Sequence, residues 1–393
     1  DYNHTNYFSF PSNLPSKFSD YEPFAQTNWS MLTQTNKGIL GLSNDKQTIY
    51  FTSYSGQIIW AQCLINNALL SSFCLLNSVN QINLFVQEWV YLSNTSNSNW
   101  AAFLISDKSK QMIVTIDLDT GLFVPNNIDS DLVLEWNSVF KIVNNTTNMY
   151  TKLFQIDKNK LILMKENSSE SLTLIDYDLD NKEVIIKPIS INFGNHNTKA
   201  IASFLYAGNK TFALAIDTNG NSKNNKTVYT QFLCSVTFSD NYSSLNVNEL
   251  TALSNKYIST SETLDFTNFK NTFFYKNENG NIKLYFLNGS LLNNYIDVYD
   301  TNKQSVVASV SLNTYGINSI TYNSNFNKLY IANNTTTDNV YLSWIDLNST
   351  NLELKTIQQS IQSGEKKYFL IPVLESKSTE YLIQTSNNKS PLY

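Results

Sequence analysis

The motif in this sequence that most directly implies a chemical modification is N-x-[ST], the acceptor for N-linked glycans. It occurs fourteen times, mostly in Asn-, Ser- and Thr-rich segments that we predict to be turns, where a glycan can project into solvent. The composition alone yields about ten such motifs by chance, so the count favours glycosylation only slightly. The predicted acceptors are Asn3, Asn28, Asn94, Asn144, Asn145, Asn167, Asn209, Asn225, Asn241, Asn288, Asn333, Asn334, Asn348 and Asn388.

Side chains for nucleophilic or acid–base catalysis are scarce. A Ser or Cys nucleophile needs a neighbouring base, and the two histidines, His4 and His196, lie in polar segments without a recognisable partner. The 11 glycines form no phosphate-binding loop. We therefore predict a protein that is not an enzyme and that has no catalytic residues, no bound cofactor and no metal site.

Aspartate recurs at one position of the sequence pattern, where an apolar segment ends. Asp followed by Thr, Gly, Ser or Asn is a hairpin-turn signal, because these residues hydrogen-bond their own backbone. A carboxylate pair would also suit a glycosidase. Sparse calcium ligands are a further alternative for Asp117–Asp119 and Asp176–Asp180, which lack the spacing of a calcium loop. We interpret the repeated residues as turn formers, namely Asp117, Asp178, Asp300 and Asp346.

The three cysteines have no metal-binding spacing. No pair forms a C-x-x-C motif, and with two histidines in the chain a zinc site is not expected. Cys63 and Cys74 are the candidate pair for a disulfide across neighbouring strands. The alternative is that these two residues and Cys234 are buried apolar thiols.

The composition favours an all-β protein in an extracellular setting. Charged residues make up only 15% of the chain, while there are 56 Asn and aromatic residues reach 13%. All 27 basic residues are Lys and the net charge is −5, which argues against a nucleic-acid partner. No apolar run approaches the ~20 residues of a membrane-spanning helix. Since the sequence starts at Asp1 without a leader, we expect a processed chain or one cut before a C-terminal anchor.

One strand-like segment recurs seven times, each time after a polar turn. The centres of the seven copies are 45 to 72 positions apart, which suits blades of ~40–50 residues with loop insertions. These centres are Tyr50, Phe103, Ile162, Ala213, Tyr285, Tyr330 and Leu382. The clearest unit, Asn313–Ser360, predicts four antiparallel strands at Ile317–Tyr322, Lys328–Ala332, Val340–Leu347 and Leu352–Ile357.

The repeat predicts a single domain over residues 1–393, a seven-bladed β-propeller of four-stranded antiparallel blades. Residues 31–361 are expected to form six complete blades, and residues 362–393 the inner strands of the seventh. A propeller has to close its ring, so we expect residues 1–30 to supply the closing strands of the last blade. Three prolines in that segment fit an edge position.

Residues Val298–Thr336 resemble the YVTN-type β-propeller repeat, in which a V-x-D strand pair is followed by G-I and K-x-Y-V-x-N. The matching residues are Asp300, Val306, Val307, Val310, Gly316, Ile317, Lys328, Tyr330, Ile331 and Asn333. Such propellers occur in surface-layer and other cell-surface proteins of archaea and some bacteria. The resemblance implies an extracellular scaffold or binding module, here favouring an archaeon, and transfers no catalytic residues.

Together these features predict an N-glycosylated cell-surface scaffold that works by adhesion or by self-assembly into a surface layer or filament. Its expected partners are other surface proteins or copies of itself, with glycans as a further class, and nucleic acid is not among them. One alternative is an extracellular ligand-binding receptor. A second alternative is a hydrolase or oxidoreductase that uses the central channel of the propeller.

Overall fold

In the computed structural model, every regular element in the described part of the chain is a β-strand. The predicted all-β class is therefore confirmed. The described residues contain no helix that is long and apolar enough to cross a membrane. The structure describes residues 5–10, 29–35, 38–43, 45–52, 58–64, 85–92, 99–106, 111–121, 141–144, 150–165, 168–178, 183–194, 199–217, 221–223, 226–259, 273–290, 293–312, 316–323, 327–336, 339–362, 368–376 and 379–386.

The strands are short apolar segments separated by polar turns. In chain order they are β1 (Thr5–Phe10), β2 (Trp29–Gln34), β3 (Ile39–Ser43), β4 (Thr48–Thr52), β5 (Ile58–Cys63), β6 (Phe85–Leu92), β7 (Trp100–Ser106), β8 (Gln111–Asp117), β9 (Lys141–Asn144), β10 (Tyr150–Asp157), β11 (Lys160–Lys165), β12 (Ser168–Asp178), β13 (Glu183–Asn192), β14 (Lys199–Tyr206), β15 (Thr211–Asp217), β16 (Asn221–Lys223), β17 (Lys226–Phe238), β18 (Ser244–Ser259), β19 (Phe273–Glu278), β20 (Asn281–Ser290), β21 (Asn293–Asp300), β22 (Ser305–Ser311), β23 (Gly316–Asn323), β24 (Lys328–Thr336), β25 (Asn339–Asp346), β26 (Lys355–Gln362), β27 (Tyr368–Ser376) and β28 (Thr379–Ser386).

Most strands pair with their neighbours in the sequence. Four sheets have four strands each, in the orders β2-β3-β4-β5, β6-β7-β8-β9, β19-β20-β21-β22 and β23-β24-β25-β26. A nine-stranded sheet contains two further runs, β10-β11-β12-β13 and β14-β15-β17-β18. A short parallel pairing of β13 with β18 joins these two runs, and β16 pairs with β17.

The last sheet contains strands from opposite ends of the sequence. β27 and β28 form an antiparallel hairpin, and β1 pairs antiparallel with β28, from Thr5 opposite Thr385 to Phe10 opposite Glu380. This pairing covers an edge of β28 that would otherwise present open backbone N–H and C=O groups. The sheet order is β1-β28-β27.

The chain divides into two compact units, each of which packs within itself. The first unit comprises Asp1–Ala68, Leu291–Ile296 and Ala308–Tyr393, and the second comprises Leu69–Ser290 and Asp297–Val307. In the second unit, the first strands of successive runs lie side by side, β6 by β10, β10 by β14 and β14 by β19. In the first unit, β23 lies by β27 and β27 by β2.

The strands of the second unit supply hydrophobic cores on both of their faces. In β11, Leu161 and Leu163 pack into a core shared with β7, whereas Ile162 and Met164 pack into a core shared with β15. Successive residues of a strand point to opposite faces, so two cores require an apolar residue at every position. This accounts for the nearly continuous apolar sequences of the central strands.

Six of the seven repeated segments occupy the second strand of their run, but the copy centred on Tyr50 does not. Tyr50 lies in β4, the third strand of its sheet, because Ile39–Ser43 forms the second strand β3. The backbone N–H of Thr35 donates to the Gly38 carbonyl at 2.8 Å, which closes a short turn between β2 and β3. The alignment of the first repeat was therefore wrong by one strand.

The four strands predicted in Asn313–Ser360 are confirmed as an antiparallel series, β23 to β26. The first three match the predicted segments to within a few residues. The fourth strand starts at Lys355 rather than at Leu352, because the turn after Asp346 extends through Asn351.

Replacing Phe103 with Ala should destabilise the second unit strongly. Phe103 in β7 is fully buried and packs edge-to-face on Trp89, with ring centroids 5.8 Å apart. We expect a loss of about 3–5 kcal/mol in the free energy of unfolding, measured by urea titration. The control Val307→Ala, at a position 43% exposed in β22, should change it by less than about 0.5 kcal/mol. Equal losses in the two variants would contradict the two-faced packing.

Candidate functional site

Three predicted glycan acceptors are exposed at turns of the described chain. Asn209 lies between β14 and β15, Asn241 between β17 and β18, and Asn348 directly after β25. Asn288 differs, since it lies within β20, is fully buried, and donates from Nδ2 to Asp297 Oδ2 at 2.7 Å. A glycan does not fit at that position in the folded chain. Asn288 is therefore corrected from a predicted turn acceptor to a buried strand residue.

The other predicted modification sites have no described side chain. Asn144 lies in β9, and Asn333 and Asn334 lie in β24, where only the backbone is described. The remaining predicted acceptors lie outside the described residues, namely Asn3, Asn28, Asn94, Asn145, Asn167, Asn225 and Asn388.

The predicted disulfide and both histidines also fall outside what the structure describes. Cys74, His4 and His196 lie outside the described residues, and Cys63 is described only as a backbone position in β5. Cys234 is a buried free thiol in β17. Among the described side chains, no group of three or more His, Cys, Asp or Glu residues is placed to hold a metal ion.

The repeated aspartates bind the backbone of their own turns. Asp117 Oδ1 accepts from the Asp119 N–H at 2.9 Å, and Asp346 Oδ1 accepts from the Asn348 N–H at 2.9 Å. The same geometry occurs at Asp300, whose Oδ1 accepts from the N–H of Asn302 at 2.9 Å. Each carboxylate thus satisfies an amide that the turn leaves without a strand partner.

Asp300 is the most fully bonded of these turn carboxylates. Its Oδ1 also accepts from the Lys303 N–H at 3.1 Å, and its Oδ2 accepts from Asn281 Nδ2 at 3.2 Å. Burial by itself raises the pKa of Asp300, but these hydrogen bonds outweigh it and the pKa lies below its usual 3.8. The ionised carboxylate is therefore the form that the turn requires.

An asparagine at the start of the second strand braces the turn after the third strand in three sheets. Asn99 Nδ2 donates to Asp119 Oδ1 at 3.3 Å, and Asn327 Nδ2 donates to Asn348 Oδ1 at 2.8 Å. Asn281 makes the equivalent bond to Asp300. From the sequence these asparagines were expected only as turn residues, and their pairing with the later turn was not predicted. A spacing of about 20 positions between the asparagine and its partner nevertheless recurs in all three sheets.

Three of the tryptophans with described side chains are buried or half-buried. Trp89 and Trp100 are buried, and Trp344 is half-buried with the Nζ atoms of Lys328 and Lys355 each 4.8 Å from its ring centroid. These cation–π contacts occupy the ring of Trp344. None of these three rings is a free platform for a ligand.

A groove of about 830 Å³ in the second unit is the best candidate for a binding site. It lies where the β14–β15 turn, the β17–β18 hairpin and the β21–β22 turn come together, and its size falls in the range of small-ligand pockets. Its wall combines aromatic, hydroxyl, amide and carboxylate side chains. The principal residues are Asp157, Tyr206, Thr237, Tyr242, Tyr299 and Gln304.

Tyr242 is held in the groove wall by three side-chain contacts. Its hydroxyl donates to Asp157 Oδ2 at 2.7 Å, and Asp157 Oδ1 accepts from the Lys158 N–H at 2.7 Å. Its ring stacks on Phe238 with centroids 5.2 Å apart, and Lys160 Nζ lies 4.5 Å from the ring centroid. Burial and the neighbouring Asp157 carboxylate raise the pKa of Tyr242 to about 12.

Two further features complete the electrostatics of the groove. The Tyr206 hydroxyl donates to the Gly208 carbonyl, and burial together with the Asp157 charge raises the pKa of Tyr206. The charged side chains of the wall are Asp157, Glu249 and Lys210, so carboxylates outnumber ammonium groups. The groove is therefore poorly suited to an anionic ligand.

No protein-family model matches the chain, and no curated protein matches it. Two solved structures illustrate the structural similarity. One is a functionally unknown protein from Desulfotomaculum acetoxidans, with 9% identity and a TM-score of 0.44, covering 84% of this chain and 89% of that chain. The other is a β-propeller domain from Myceliophteria thermophila, with 6% identity and a TM-score of 0.46, covering 91% of this chain and 99% of that chain.

Replacing Asp300 with Ala should remove three turn hydrogen bonds and lower the free energy of unfolding at pH 7 by about 1–3 kcal/mol. Because the folded pKa is depressed, this contribution is complete above pH 3.8 and is lost as the pH falls further. The difference between wild type and variant should therefore shrink below that pH in urea titrations. The control Asp240→Ala, at an exposed turn position, should leave the free energy of unfolding nearly unchanged both at pH 7 and below pH 3.8.

Titration of Tyr242 should be visible in the phenolate absorbance of wild type minus Tyr242→Phe. A folded pKa above the usual 10.0 stabilises the fold below pH 10, and this contribution is lost as the pH rises through about 12. The difference signal should have its midpoint near pH 12. In an Asp157→Asn background the midpoint should move toward 10, because the carboxylate acceptor is gone. A wild-type midpoint near pH 10 would contradict the Tyr242–Asp157 bond.

Proposed function

We propose that this chain is a non-catalytic, N-glycosylated scaffold of the cell surface that acts by adhesion or self-assembly. In this proposal the seven runs of strands are the blades of one propeller of the YVTN type. The sheet of β1, β28 and β27 is the blade that closes the ring. The side-by-side first strands within each unit support this arrangement.

The observation that carries the scaffold proposal is the use of the repeated carboxylates. Asp117, Asp300 and Asp346 bind the backbone amides of their turns. A glycosidase pair was the alternative role for such carboxylates, and these hydrogen bonds give them a structural role instead. Catalytic carboxylates need open access to a substrate and often have raised pKa values, whereas the pKa of Asp300 is lowered.

The exposed turns fit a glycosylated surface. Asn209, Asn241 and Asn348 present their side chains to solvent at the ends of sheets, where an attached glycan meets no core residue. With few charges to steer association, contacts between copies would depend on hydrogen bonds and apolar patches, which salt screens weakly.

A ligand-binding receptor is the second candidate function, and the groove of the second unit is the observation that favours it. The two functions are compatible, since an adhesive surface protein can bind a ligand. In the receptor function adhesion needs the groove, whereas in the scaffold function it needs the assembly of several copies of the chain.

The scaffold proposal predicts surface exposure and a glycan mass. An impermeant amine-reactive label should modify the chain on intact producing cells. The purified protein should exceed the 44.8 kDa polypeptide mass until it is chemically deglycosylated. Glycopeptide mapping should find glycans at Asn209, Asn241 or Asn348 and an unmodified Asn288. Labelling only after lysis, with a mass equal to the polypeptide, would overturn the proposal.

A further inference from the structure

We infer that the groove of the second unit is a binding site for a neutral carbohydrate. The inference deepens the proposed surface function, but it depends on the groove itself and not on where the protein is located.

Five neutral polar side chains of the groove make no hydrogen bond to any described residue. They include two aliphatic hydroxyls, one phenol and two amides. They are Ser235, Thr237, Tyr299, Gln304 and Asn209. Tyr299 carries most weight, since the residue is only 2% exposed and lines the groove, while its hydroxyl is not one of the buried polar atoms that lack a partner in the described chain. A hydroxyl that water can reach in the groove can exchange that water for a ligand group.

The bonded carboxylate of the wall retains accepting capacity. Asp157 accepts one bond at each oxygen, from Lys158 N–H and from the Tyr242 hydroxyl. An ionised carboxylate has about four lone-pair sites, so each oxygen can take a further donor. Sugar hydroxyls are donors and acceptors at once, and they therefore match a wall of carboxylate, phenol, hydroxyl and amide groups.

The charges of the wall select against other ligand classes. The wall has two carboxylates, Asp157 and Glu249, and one ammonium group, Lys210. Because like charges repel, this excess of negative charge disfavours ligands that carry a phosphate or a carboxylate. An amine would be drawn to the ring of Tyr242, but Lys160 Nζ already lies 4.5 Å from that ring centroid. The apolar surface of Leu250, which is 37% exposed, remains for the C–H face of a sugar ring.

The position of Asn209 means that a sugar in the groove could come from either of two sources. It lines the groove, is exposed, and is the acceptor residue of an Asn-Lys-Thr motif. A glycan attached there would begin at the edge of the site. The sugar is thus either the glycan carried by Asn209 or a glycan of another molecule, and the same groups would bind both.

The test uses the full chain made in a host without N-glycosylation, with chitobiose and cellobiose as probes in saturation-transfer NMR. Binding should be seen with wild type. Tyr299→Phe, which removes one hydroxyl, should weaken the apparent Kd about three- to tenfold. Tyr295→Phe is the matched control, because it removes a phenol of the same strand outside the groove and should leave the Kd unchanged.

Two results would overturn the inference: no transfer to either disaccharide, or equal weakening by Tyr299→Phe and Tyr295→Phe. Binding of tetramethylammonium instead of the disaccharides would also overturn it, in favour of a cation site. Surface labelling tests the scaffold proposal alone, and disaccharide binding tests the carbohydrate site alone. A negative result in one experiment therefore leaves the other proposal standing.

The glycosylated native protein separates the two sources. If chitobiose binds only after Asn209→Gln, the glycan of Asn209 occupies the groove of the wild type. If it binds equally with and without that substitution, the ligand comes from another molecule. Both results support a carbohydrate site.

Discussion

The constraint on which the rest of this structure depends is burial of the central strands on both faces. Leu163 and Met164 are adjacent in β11 and lie in different hydrophobic cores. Apolar surface contributes roughly 25 cal/mol of stabilising free energy per Å² when it leaves water. A strand that packs on both faces therefore contributes about twice the burial free energy of a strand with one face in solvent. Polar groups must then gather at the turns, because hardly any position within a central strand can accommodate them without a partner.

Several polar side chains within the strands are bonded from one run of strands to the next. Gln111 is buried, and its side-chain amide exchanges two hydrogen bonds with the backbone of Tyr150, at 2.7 and 2.8 Å. Thr115 and Tyr177 bond across neighbouring sheets, and the Thr211 hydroxyl donates to the Ile156 carbonyl. These bonds fix the register of one run of strands against the next, which apolar contacts alone specify less sharply.

Sequence reasoning succeeded where local pattern decides the structure and was wrong where it does not. The strands of Asn313–Ser360 were predictable because apolar segments alternate with turn residues. The repeat at Tyr50 was misplaced because two similar strands are separated by only a short turn. Asn288 was misread because Asn-Gly-Ser is a turn signal, while β20 continues to Ser290 under tertiary packing. The groove was missed because Asp157 and Tyr242 are 85 positions apart, and nothing local links them.

The pairing of β1 with β28 makes completion of the fold a late event. During synthesis Thr5–Phe10 leaves the ribosomal exit tunnel long before Thr379–Ser386 is made. The strand β1 therefore has no β28 to pair with until nearly all the other strands have been synthesised. The entropy of closing so long a loop grows only slowly with its length, yet contacts of this span slow folding. The order of synthesis therefore makes the nascent first strand, with its unpaired edge, the segment most open to chaperones or to capture by a neighbouring copy.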